Sequence, residues 1–386
     1  MARLTRCRAC GHSDLYDFLD LGSTPLADAF PTSAAEPEPT YPLGLTVCER
    51  CWLVQNIETV PDAALWTADY GFYTGASPAS IAYFAEYARW TLDRFAEQAR
   101  RGIVEVASND GTLLRHFVGH GRVIGVDPSP NVAAASGLPT IVEPFGRAVA
   151  DGIGPTGLVI ANNVVAHVAD LDDFLGGVAI LIGTDGVALL EFQYVGDLIA
   201  RNQFDHVYHE HRSFFSLHSL AEALRPHGLG ITDTLWSPAQ GGSYRVVLRA
   251  GGTDGNADER WLARRATYET FADRVAYLRQ RLLDLIDRER SEGRRLAGYA
   301  ASAKSTTLLN YCGIGPDRLQ SVVDLTPHKI GRVTPGTHVP IVAADDSVDT
   351  YLLLAWNYLS SVIRRERDFI DRGGRFIVPV PMPVLV

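Results

Sequence analysis

Apolar positions along the chain follow two periods. In "SIAYFAEYARWTLDRFAEQA" (80–99) they return at helical spacing, which predicts a long amphipathic helix. After it, short apolar runs alternate with polar turns and helical segments. "GIVEVASNDGTLLRHF" reads as a buried strand, a polar turn and a helix. "RVIGVDPSP" reads as a strand ending at Asp127, "GLVIANNVVAHVADLDDF" as one ending near Asn162, and "GVALLEFQY" as one ending at Glu191. Alternating strands and helices predict a parallel, doubly wound α/β sheet. "GLGITDTLWSPAQGGSYRVVLRA" reads as an antiparallel hairpin at one edge. A charged helical stretch from about 257 to 295 leads into "RLAGYAASAKSTTLLNYCGI", a second strand–turn–helix unit. "LQSVVDLTPHKIGRVTPGTHVPIV", "TYLLLAWNY" and "RFIVPVPMPVLV" continue it as a smaller α/β domain. Residues 1 to about 65 read as loop-rich, and no tandem repeat is present.

Composition narrows the class. The chain has 386 residues, 46% of them apolar, enough for two or three cored domains. A net charge of −10 argues against binding a nucleic-acid backbone. No apolar run has the length of a membrane span, and the start lacks the apolar core of a secretion signal. A cytoplasmic, non-membrane protein is expected. Lys304 and Lys329 are the only lysines.

Four of the five cysteines form two close pairs, "CRAC" (Cys7, Cys10) and "CERC" (Cys48, Cys51). Each pair can turn both sulfurs to one point, and two such knuckles complete a tetrahedral thiolate shell for zinc. Four thiolates leave no open position, so a structural Zn²⁺ is expected. Paired redox motifs are the competing reading, without a thioredoxin-like context to support them. Cys312, on an apolar helix, reads as core.

The first βα turn carries the cofactor signal. Glu105 ends the first strand, and Ser108, Asn109, Asp110 and Gly111 form the turn. Asp127 and Pro128 follow the second strand; Asn162 and Asn163 close the third. A dinucleotide fold would show G-x-G-x-x-G here. Acidic groups would repel a pyrophosphate. They suit a cation without phosphate, such as S-adenosylmethionine, whose ribose hydroxyls Asp127 could receive.

"QFDHVYHEHRSFFS" (203–216) concentrates His206, Tyr208, His209, Glu210 and His211. Acid–base work, a metal site with His209 and His211 on one face of a strand, and a bland polar patch all remain open from the residues alone. The helical zinc signature H-E-x-x-H is absent. Lys304 and Ser305 follow a strand and open a helix, a natural phosphate position. Tyr83, Phe84, Tyr87 and Trp90 read as helix packing.

Across nearly its whole length the chain resembles the sugar C-methyltransferases that act on nucleotide-linked 4-ketosugars in antibiotic deoxysugar biosynthesis. The resemblance lies in the cysteine pairs, "LGSTPLADAF", "DYGFYTGAS", "EVASNDGTLL", "GVDPSPNVA", "NNVVAHVADLDDF", "YHEHRSFFS", "AQGGSYRV", "ASAKSTTLLNYCGI" and "LLLAWNY". It implies a zinc domain (1–68), a class I S-adenosylmethionine-dependent methyltransferase domain (69–285) and a C-terminal Rossmann-like α/β domain (286–386) that helps bind the nucleotide sugar. It implies Tyr208, Glu210, His211, His167 and Tyr70 as catalytic residues, with Tyr73 as the alternative tyrosine on the sugar. Lys304, Ser305 and Asn310 would contact the substrate, although Ser305 stands where the family more usually has glycine. The implied substrate is a dTDP-4-keto-deoxysugar and the implied state a monomer. Methylation beside the ketone needs a base, for which His211 steered by Glu210 is the first choice and Glu210 itself the second. The competing class is a non-catalytic zinc-bearing protein that binds adenosylmethionine or a nucleotide.

Overall fold

The computed structural model of the protein describes residues 2–66, 71–253 and 258–386. Three larger sheets organise the chain. The N-terminal segment is more regular than its turn-rich sequence suggests. Strands Leu15–Pro25, Thr40–Cys48 and Val54–Asn56 form an antiparallel sheet, closed at its edge by Ser213–Phe214 from the middle of the chain. Two register shifts in the first pairing break the strict alternation that would have marked a strand.

The central sheet has seven strands. In spatial order they are Leu229–Ser237, Ser243–Ala250, Val187–Gln193, Leu158–Asn162, Ile103–Val106, Val123–Val126 and Thr140–Ile141. The last five are mutually parallel, and Ser243–Ala250 pairs antiparallel as the predicted hairpin. The chain starts at Ile103–Val106, moves two strands outward, then crosses back to Leu158–Asn162. The order therefore reverses beside the first strand, and the crevice beyond the carboxyl ends of these two strands is where such sheets bind ligands. The predicted amphipathic helix is Pro78–Arg100. The helix expected after the polar turn is only a 3₁₀ turn, Leu114–Phe117.

The C-terminal sheet repeats this logic in the order Ile341–Val342, Val322–Val323, Leu296–Tyr299, Thr350–Leu353, Arg375–Val378, Val384–Leu385. Its first five strands are parallel. Its reversal lies between Leu296–Tyr299 and Thr350–Leu353. The helix Arg265–Ser291 enters this domain, and helix Ala303–Cys312 follows its first strand.

One apolar core joins the parts. Leu19 and Leu45 of the N-terminal sheet share a buried cluster with Leu198 and Phe204, with Leu278 and Leu282, and with Leu308 and Leu352. Cys7, Cys48 and Cys51 pack in a second cluster that includes Val159, Leu190 and Phe215 around the central sheet. Among the described residues, no helix is long and apolar enough to cross a membrane.

Candidate functional site

The metal centre has the geometry its donors require. The sulfurs of Cys7, Cys10, Cys48 and Cys51 lie within 4.8 Å of one another. Cys7 Sγ is 3.5 Å from Cys51 Sγ, and Cys10 Sγ is 3.6 Å from Cys48 Sγ. Four sulfurs about 2.3 Å from one Zn²⁺ stand about 3.8 Å apart, so the cluster fits a tetrahedral ion. Among the described residues this is the only group arranged to hold a metal, which removes the histidine cluster from that role.

The cofactor cradle lies at the central reversal. Three residues of the first turn wind left-handed, Ala107 (φ 56°), Asn109 (φ 50°) and Gly111 (φ 71°). Only Gly111 is free of Cβ crowding there; a Cβ would come within 3.0 Å of Ser136. Asp127 accepts the amides of Asn109 and Ser129, both at 2.9 Å. The Ser129 hydroxyl also faces this carboxylate. Pro128 sits exposed between them. Asp110 accepts the amide of Gly75 at 2.8 Å, and Asn109 that of Thr74 at 2.9 Å, so the segment 72–75 covers the turn.

Several polar atoms of this crevice are buried without a protein partner. They are Glu105 Oε2, Ser108 Oγ and both side-chain polar atoms of Asn162. Such atoms are costly unless a ligand meets them. Burial pushes the Glu105 carboxyl well up, and Asp110 and Asp127 add to the rise. A cation would relieve this acidic trio. The residues thus fit S-adenosylmethionine, which brings a sulfonium, an amine and ribose hydroxyls. Asn163 winds left-handed (φ 51°), and its amide donates to Glu191 O at 2.7 Å, which turns the chain toward His167.

Tyr208, His211 and His167 converge beside this crevice. His211 Nδ1 donates to the His206 carbonyl at 2.8 Å. A carbonyl only accepts, so Nδ1 carries the ring proton and Nε2 receives the Tyr208 hydroxyl at 2.8 Å. His167 Nδ1 donates to the Glu210 carbonyl at 2.8 Å, and the two imidazoles lie 4.9 Å apart. Burial holds His167 down at about 4. Burial, then the neighbouring His167, depresses His211 well below its ordinary value. Both rings are neutral at pH 7. All three side chains remain partly exposed although protein surrounds them, as cleft-lining groups do.

One expectation for this loop is corrected, and one of its open alternatives loses support. His211 is oriented by the His206 carbonyl and Tyr208 rather than by the Glu210 carboxyl, because both ring nitrogens are engaged. His209 turns away and bonds Tyr41 O at 3.2 Å. Glu210 keeps one buried oxygen without a protein partner; burial pushes its carboxyl up to about 8, and Asp28 adds to the rise.

The C-terminal residues divide. Lys304 is buried at the second reversal, bonded to Asn357 and 5.0 Å from the centre of the Trp356 ring. Burial lowers it to about 8, against the pull of Asp205. Ser305 is fully buried, and its hydroxyl returns to Ser302 O at 2.5 Å inside its own helix turn. Asn310 ties Thr306 O at 2.8 Å to Pro335 O at 3.0 Å. Both side chains are thus engaged by the protein's own carbonyls. Tyr73 lies on the cofactor side, its hydroxyl accepting from Asn131 Nδ2 at 3.1 Å. Tyr70 lies outside the described residues.

The sequence reading missed Asp205 and Trp356. Trp356 Nε1 donates to Asp205 Oδ2 at 2.6 Å, tying the C-terminal domain to the loop just before His206. Asp205 stands inside the "QFDHVYHEH" run, but nothing local marks its distant partner.

Three family profiles match the chain. A zinc binding domain covers residues 7–66, a methyltransferase domain 81–234 and a C-methyltransferase C-terminal domain 238–381. The C-methyltransferase NovU of Streptomyces niveus is 34% identical over 408 aligned residues, covering 99% of this chain and 97% of NovU. Among solved structures, magnesium protoporphyrin IX methyltransferase from Synechocystis PCC 6803 with bound SAM is similar at 13% identity and TM-score 0.34, over 44% of this chain and 78% of that one. A S-adenosylmethionine-dependent methyltransferase from Clostridium acetobutylicum is similar at 11% identity and TM-score 0.35, over 44% and 92%. With its thiolate centre, its acidic cofactor turn and full-length similarity to NovU, the chain belongs to the S-adenosylmethionine-dependent C-methyltransferases with an N-terminal zinc-binding domain.

Proposed function

We propose that this protein methylates the carbon beside the C-4 ketone, C-3 or C-5, of a dTDP-linked 4-keto-6-deoxysugar in antibiotic deoxysugar biosynthesis. It would work in the cytoplasm as a monomer, with the chain divided near residues 68 and 285. The observation that carries this reading is the Tyr208–His211 pair beside the cofactor crevice, with its tautomer set by the His206 carbonyl.

A carbon α to a ketone must lose a proton before it can attack an electrophile. The neutral His211 Nε2 accepts it through the Tyr208 oxygen, which takes the carbon's proton as the phenolic proton moves to Nε2. The C–H electron pair becomes the enolate double bond, and negative charge gathers on O4. The Glu210 carboxyl, protonated at neutral pH, is the candidate donor to that oxygen, because the one N–H of neutral His167 already serves the Glu210 carbonyl. Bound S-adenosylmethionine supplies an electrophilic methyl. The enolate carbon would receive that methyl, with the S–CH₃ electron pair left on the cofactor's sulfur. The product is the C-methyl ketone, with the abstracted proton left on His211 and released to solvent. Lys304 would serve the nucleotide part, and holding both reactants together supplies much of the rate.

The test is mass spectrometry of thymidine-diphosphate 4-ketosugars, with and without a 3-amino group, incubated with adenosylmethionine. Gain of one methylene on one sugar is expected. Changing His211 to Asn should lower kcat by about 10²–10⁴-fold with adenosylmethionine affinity unchanged. Full turnover by that variant would rule out this base.

A further inference from the structure

Arg8 sits inside the first metal knuckle, between Cys7 and Cys10, yet its side chain reaches the loop that carries Tyr208 and His211. One guanidinium nitrogen donates to Arg212 O at 3.2 Å and Asn56 O at 3.3 Å; the other donates to Thr59 Oγ1 at 2.8 Å. The Arg8 amide donates to Gln55 Oε1 at 2.8 Å, fixing the knuckle to the neighbouring strand.

Arg212 directly follows His211, and its peptide is clamped from two sides. Its carbonyl also receives the Asn56 amide at 3.1 Å, and its amide donates to Ala166 O at 2.8 Å, one residue before His167. Asn56 Nδ2 holds Tyr208 O at 2.9 Å. The Arg8 fork thus spans the strand that fixes Tyr208 and the peptide that joins His211 to the His167 segment. A planar guanidinium can make these bonds together, whereas an ammonium on a flexible stem offers one point.

We infer that Arg8 is a positioning residue for methyl transfer, through which the four-thiolate centre sets the spacing of Tyr208, His211 and His167. This rests on the proposed role of Tyr208 and His211 in proton transfer. It differs from a purely structural role for the knuckle, which would affect folding and metal content but not the state of His211.

The experiment compares the zinc-loaded full chain with its Arg8→Gln and Arg8→Lys variants. The first readout needs no sugar: ¹⁵N spectra of the histidine side chains, with His211 assigned from its loss in His211→Asn. The wild-type signal should report the neutral Nδ1–H tautomer. Arg8→Gln should give a mixed tautomer, and Arg8→Lys an intermediate state, with one zinc per chain and adenosylmethionine affinity retained. The second readout is turnover of whichever ketosugar the wild type accepts. A kcat loss of about 10–100-fold is expected for Arg8→Gln, as for a displacement near 1 Å. An unchanged His211 signal with zinc retained overturns the inference, as does zinc loss in both variants. If the wild type methylates none of the sugars, the proposed substrate fails while the imidazole spectra still decide the role of Arg8.

Discussion

Burial of a titratable side chain ties its protonation to stability, and Glu210 is the clearest case. Its carboxyl is raised to about 8, from an ordinary value near 4.5. Below pH 4.5 both folded and unfolded forms are protonated, and the shift has no effect. As pH rises from there, the unfolded chain ionises first, so the fold loses stability until Glu210 itself ionises near 8. Glu210→Gln should therefore raise the melting temperature at pH 8 and leave it nearly unchanged at pH 4.5. Equal shifts at both values would refute the assignment. His211 behaves oppositely. Its depressed value favours the neutral ring, so any acid limb of the kcat profile should fall below pH 6.5. At this scale, residue types were legible in sequence and their partners were not. Tyr208 and His211 offered acid–base work as one of three open readings, and His167 entered only through the resemblance. Nothing announced that His206 would act through its backbone, because any residue supplies a carbonyl.

Single elements carry the contacts between modules. Helix Ala303–Cys312 buries four successive polar residues, Lys304 to Thr307, which a solvent-facing helix would expose. Thr306 Oγ1 donates to Ala27 O at 2.9 Å, and Thr307 Oγ1 to Val207 O at 2.7 Å. One turn therefore pins the N-terminal module and the loop before Tyr208. Thr307→Val leaves the Val207 carbonyl without this donor, and about 1–3 kcal/mol should be lost in denaturant unfolding. Amides from Val207 to His211 should exchange faster, and unchanged exchange would show the pin to be idle. Apolar runs and turn residues made the parallel strands readable, since central strands are apolar throughout. Ser213–Phe214 was invisible, because two residues make no period. The N-terminal strands were hidden by their register shifts.

Among the described residues, the three sheets share apolar clusters. The cysteine knuckles lie in the apolar cluster of the central sheet, and the N-terminal strands share a core with the C-terminal domain. Removing zinc with a chelator under reducing conditions should therefore lower the melting of the entire chain. Calorimetry would show one shifted transition, and an early separate one for the first 66 residues would contradict this. The succession of zinc-binding, methyltransferase and C-terminal segments was readable from motif order. How they interlock was not, since it depends on pairs such as Trp356 with Asp205, 151 positions apart.

Strand Ser213–Phe214 lies across those divisions, completing a sheet whose other strands end by residue 56. Cassette exchange between relatives must respect that seam. A chimera that swaps only the first 66 residues matches a foreign sheet edge to a native strand, and the mismatch falls immediately beside the loop that carries Tyr208 and His211. Swapping 203–216 along with the N-terminal segment keeps edge and strand from one parent, and is the natural unit for such an exchange.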